Sequence, residues 1–144
     1  MKIRPSVASV GAAVVLGTTA ALVLPAVASA HDASTTLKFT AVAVKGVSFT
    51  KTTFGGQETD VNSTGNTIGF DDVYVTVTGP SSATVNVALD TKGGFLYAVA
   101  TSTNMGKTLS GTVTGGTGAF NGATGTVTAK TISRTKTAVT IVYS

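Results

Sequence analysis

Apolar and polar residues alternate along most of the chain, and that alternation predicts strands. Over 35–44, Leu37, Phe39 and Ala41 share one face, with Lys38 and Thr40 on the other. Over 47–54, Val47 and Phe49 lie on one side and predict a second strand. Val73, Val75 and Val77 alternate with Tyr74, Thr76 and Thr78 within 67–78, and Val85, Val87 and Leu89 with Asn86 and Ala88 within 84–89. Phe95, Tyr97 and Val99 share a face of 95–101, and Leu109, Gly111 and Val113 share one of 107–114. Two further runs, 125–132 and 136–143, close the chain. No window carries apolar residues at helical spacing over ten or more positions.

The segments between these runs are turns. Gly79-Pro80, Lys92-Gly93-Gly94 and Asn104-Met105-Gly106 are short and rich in turn formers. The stretch 55–66 is polar, carries Glu58 and Asp60, and is expected to be a loop. The pattern therefore predicts an all-β fold of about eight strands. Short connections favour an antiparallel meander, and closure into a barrel removes the two edges an open sheet would expose. Eight strands enclose an interior that side chains fill or that holds one small ligand, and the small strand residues here leave room.

Residues 1–30 are expected to be a signal peptide. Lys2 and Arg4 precede an uncharged run from Val7 to Leu24, Pro25 breaks it, and Ala28-Ser29-Ala30 fits a signal peptidase. The remaining chain, 31–144, suits one exported domain with no membrane anchor after cleavage. Without Lys2 and Arg4, the ten basic residues become eight, against six acids, and they are scattered. Nothing in this pattern suits nucleic acid. The chain has no cysteine, so sheet pairing and apolar burial must hold it together. Its single histidine, His31, falls at the expected mature N-terminus, which argues against a catalytic triad or a histidine metal site. No cofactor or metal is expected.

Five glycines, Gly115, Gly116, Gly118, Gly122 and Gly125, crowd the stretch 114–127. The spacing fits neither a dinucleotide-binding nor a P-loop motif. Phe120, its only large apolar residue, is expected to fold back into the core as a plug.

The sequence Thr114-Gly115-Gly116-Thr117-Gly118, followed by Phe120, Gly122, Gly125 and Val127, resembles the allene oxide cyclase and dirigent-like barrel superfamily. A second likeness runs from Gly65 through Gly69-Phe70 to Tyr74. The resemblance spans some 80 residues, 65–143. It implies an eight-stranded antiparallel barrel and a homo-oligomer, trimer or dimer. Plant allene oxide cyclases use a buried glutamate and a cavity cysteine on an unsaturated fatty-acid epoxide. This chain has no cysteine, and its only glutamate, Glu58, falls in the expected loop. Dirigent proteins steer coupling of phenoxy radicals with aspartates near the barrel mouth. Asp60 falls roughly at that segment, but its neighbours Gln57-Glu58-Thr59 do not match. The fold is carried over and the plant cyclisation is not.

Asp71 and Asp72 are the catalytic candidates. Adjacent on a strand, they face opposite ways, so one should point inward with a raised pKa while the other meets solvent. Solvent exposure of the pair at a strand entry is the plainer alternative. Tyr74, Tyr97 and Tyr143 either line a cavity or pack in the core or an interface. Arg134 and Lys136 bracket the last turn, either as a solvated tip or at a mouth where Arg134 meets a ligand carboxylate. Two functions fit: an exported barrel binding an apolar or amphipathic small molecule, with cyclisation or coupling as its reaction, or a non-catalytic structural or adhesive module with a filled interior. An apolar cavity ending in one or two convergent polar groups would select the first.

Overall fold

Most of the strands turn small or branched apolar residues to one face, and closing the sheet on that face buries them and leaves no free edge. The computed structural model describes residues 33–144; the expected leader and His31 lie outside them. Eight strands follow in order: β1 (Thr35–Ser48), β2 (Thr53–Val61), β3 (Thr67–Val77), β4 (Ala83–Thr91), β5 (Gly94–Ser102), β6 (Thr108–Gly116), β7 (Gly125–Ser133) and β8 (Lys136–Tyr143). Each pairs antiparallel with its chain neighbour, and β8 returns to β1 along Thr35–Val42. The result is the closed barrel that the alternation predicts.

One strand is misplaced in the sequence reading. The run 47–54 is not a strand of its own: its first residues end β1, and 49–52 form a turn built on Thr50. The Thr50 hydroxyl accepts the amides of Thr52 and Thr53 at 3.2 and 3.1 Å. The expected loop 55–66 is instead mostly β2, which runs through Glu58 and Asp60. A register shift between Ala43 and Lys45 turns the far end of β1 over. Val47 therefore pairs with Gly55 on the outer surface, and Phe49 is exposed beyond it.

The core sits inside the barrel, with Phe39, Ala41, Leu89, Leu96, Ala98, Ala100, Val113, Val127 and Ile141 pointing inward. One end is plugged. A 3₁₀ turn, Gly118–Phe120, folds Phe120 under the barrel, where its ring meets Tyr143 edge-on with centroids 5.4 Å apart. Phe120 is 8% exposed, as expected of a plug. The amide of Ala119 donates to the Gly93 carbonyl at 2.8 Å, tying the plug to the β4–β5 turn. Two of the motif glycines are needed for this closure. Gly118 has φ +59°, and a Cβ there would strike the Gly93 carbonyl. A Cβ on Gly116 would meet Phe120 itself.

Candidate functional site

The unplugged part of the barrel is hollow. A cavity of about 260 Å³ runs along the axis, walled by Val73, Val85, Val87, Leu96, Ala98, Val127, Val139 and their neighbours. Ser102, Thr131 and Thr137, at strand ends opposite the plug, line it with hydroxyl-bearing residues. Among the described residues, the charged ones that line it are Glu58 and Asp71.

The register explains why two acids meet here. Glu58 on β2 stands directly opposite Asp71 on β3. Directly opposed residues on one face hold their Cβ atoms about 4.5–5.5 Å apart. Asp60 lies two residues along β2 from Glu58, so it shares the inward face. It pairs with Ala41 on one side and Gly69 on the other, and is 0% exposed. Asp71 is 5% exposed. Three of the chain's six acids therefore point into one apolar region.

None of the described residues donates a hydrogen bond to Asp60 Oδ1, Asp60 Oδ2 or Asp71 Oδ1. The three carboxyls have only one another, and two carboxylates bond only when one holds a proton. Burial pushes the Asp71 carboxyl up to about 8, and the charges of Asp60 and Glu58 push the same way. Burial and the Glu58 charge raise Asp60 to about 7. Burial also raises Glu58, opposed by a hydrogen bond from Asp71. Asp71 is thus the proton holder, and its single O–H goes to Glu58. A carboxyl that keeps its proton near neutral pH can act as a general acid, and its ionised neighbour can act as a base.

The other candidates lie elsewhere. Asp72 is exposed on the outer face, as the alternation from Asp71 requires. Tyr74 and Tyr97 do not line the cavity: at 45% and 39% exposed they are outside, because β3 and β5 turn Val73, Val75, Leu96 and Ala98 inward. Tyr74 packs near Phe49, and Tyr97 stacks on Phe95. Tyr143 is half-buried against Phe120 at the plugged end, outside the cavity lining. Arg134 is exposed in the β7–β8 turn and does not reach the cavity either. Glu58 and Asp60, expected in a loop, enter the site from a strand. The signal for them was present in the i, i+2 spacing of two acids, which places both on one face of any strand.

No family model and no curated protein matches the sequence. Solved structures do match. Pyocyanin demethylase is similar with a TM-score of 0.67 and 13% identity, covering 76% of this chain and 100% of that one. The exo-specific intermolecular Diels-Alderase AbnU is similar at TM-score 0.65 and 8% identity, over 77% of this chain and 98% of the other. A pterocarpan synthase dirigent protein matches at TM-score 0.65 and 14% identity, over 78% and 94%. At such identities the likeness is one of fold. Eight antiparallel strands closed into a barrel are what the described residues share with these proteins, over about three quarters of the chain.

Proposed function

We propose that this barrel binds an apolar or amphipathic small molecule in its interior and steers its cyclisation or coupling by proton transfer at Asp71. The observation that carries this reading is the apolar cavity of about 260 Å³ whose charged lining, among the described residues, is Glu58 and Asp71. Rigid apolar walls hold a flexible ligand near its reactive conformation. Asp71 then gives its proton to a ligand atom on which negative charge develops, and Glu58 takes a proton from the ligand and restores Asp71 across the pair. Barrels of this fold that include a Diels-Alderase and a dirigent protein support the assignment of ring-forming or coupling chemistry. The leader pattern in 1–30 supports reading this activity as one of an exported protein. The alternative, a structural or adhesive module with a filled interior, draws no support from a cavity of this size.

Native mass spectrometry of protein purified from culture medium, followed by titration with neutral phenols and terpenoid alcohols, tests the proposal. At least one compound should bind the unmodified protein. Ala98→Phe, which fills the cavity from its buried wall, should abolish that binding. If no compound binds, or if Ala98→Phe binds as well as the parent, the ligand is not held in the barrel and the reading falls.

A further inference from the structure

We infer that the ligand this barrel accepts best is an apolar cation, with a body of one or two rings and a protonated nitrogen seated against Glu58 and Asp71. The inference rests on the small-molecule reading above and specifies its ligand class. It begins with what faces the two carboxyls. From β2 come Glu58 and Asp60, and from β3 comes Asp71. The other strands present Phe39 and Ala41 from β1, Leu89 from β4, Leu96 from β5 and Ile141 from β8. Among the described residues, every ionisable group that lines the cavity is an acid, and no lysine or arginine does so.

Such clusters normally occur with a cation to balance them, because buried like charges repel in a medium that screens poorly. Here the balance is missing on the protein side. Asp71 Oδ1 is buried and receives no hydrogen bond from any described residue, on a side chain 5% exposed at the cavity wall. Both oxygens of the fully buried Asp60 behind it are in the same condition. A buried acceptor left unpaired is costly, so the cavity favours a ligand that brings donors. An anion brings charge of the wrong sign. A neutral alcohol supplies one donor and leaves the carboxyl repulsion in place. An ammonium group supplies up to three donors and the opposing charge together.

The remaining lining is apolar, which fixes the rest of the ligand. A cavity of roughly 150 Å³ accommodates benzene. At about 260 Å³ this one takes a body of about two fused rings. Ammonium binding shifts the carboxyls toward their ionised forms, so protons leave them for the buffer as the complex forms.

Three probes of one shape and different charge test the inference: 1-naphthylmethylamine, 1-naphthylmethanol and 1-naphthoate, titrated calorimetrically at pH 7 in two buffers of different ionisation enthalpy. The amine should bind at least about tenfold tighter than the alcohol, with proton release, and the naphthoate should not bind. Asp71→Asn and Glu58→Gln should each weaken the amine at least about fivefold more than they weaken the alcohol. Folding of each variant is checked by circular dichroism, and either variant suffices. Alcohol binding equal to or tighter than amine binding, or equal losses for both in the variants, overturns the cation inference and leaves the apolar barrel standing. If none of the three probes nor any neutral compound of the earlier panel binds, both readings fall together.

Discussion

Two adjacent aspartates with opposite fates show how much one residue's position decides. Asp71 is turned into the barrel and Asp72 into solvent by nothing more than strand alternation. Asp72→Asn should therefore change stability by no more than about 0.5 kcal/mol. Asp71→Asn replaces a buried acid among acids by a neutral group of the same shape. At pH 8.5, where the native protein must hold charge there, the substitution should stabilise by on the order of 1–3 kcal/mol. Urea unfolding of the two variants side by side checks this, and a destabilised Asp71→Asn protein at that pH contradicts the account. Phe120 is the opposite kind of residue, apolar and stacked edge-on against Tyr143. Phe120→Ala should cost about 3–5 kcal/mol, read by the same measurement.

At the scale of the element, β2 is where sequence and structure part company. Its strand residues include Gly55, Gly56, Gln57, Glu58 and Asp60, with no large apolar residue on the inward face between Gly56 and Asp60. Alternation marks a strand only when the buried face is apolar; here the buried face carries the functional acids, so the strand resembles a loop. The apolar residues that did alternate, Val47 and Phe49, belong to the end of β1 and the turn after it. The other strands were legible because their inward residues are Val, Leu, Ala and Phe. For the same reason the site was only half legible: alternation on a recognisable strand sent one of Asp71 and Asp72 inward without selecting which, whereas the i, i+2 spacing of Glu58 and Asp60 acquires meaning only once their segment is a strand paired with β3. The plug was legible in full, since a lone phenylalanine among glycines has few other uses. Its geometry makes a prediction of its own. Gly118→Ala places a side chain in the left-handed region, which costs about 1–2 kcal/mol, and drives its Cβ into the Gly93 carbonyl as well. The total loss should exceed that range, measured by thermal unfolding, while Gly122→Ala, with φ +77° and open space around its Cβ, should lose only the backbone cost.

For the whole molecule, the acid cluster couples stability to pH in an unusual direction. In the unfolded chain Asp60 and Asp71 release their protons near 3.8, but in the folded barrel they hold them up to about 7 and about 8. Glu58 is raised too. Between those limits the folded state binds more protons than the unfolded state, so stability falls as pH rises. The contribution is complete below about 3.8 and is lost as pH passes through about 7 and then about 8. Most proteins with paired carboxylates behave in the reverse sense, losing stability on acidification. This barrel should instead show a melting temperature that falls by on the order of 5–10 °C between pH 5 and pH 9. Differential scanning calorimetry at constant ionic strength measures the slope. Asp71→Asn should flatten it by removing the group raised to about 8. Saturation with an apolar ammonium ligand should flatten the slope in the unmodified protein, because the bound cation stabilises the ionised carboxyls that otherwise weaken the fold. A melting temperature that is flat or rises across this range would mean that the three carboxyls are not buried together, and the site built on them would have to be abandoned.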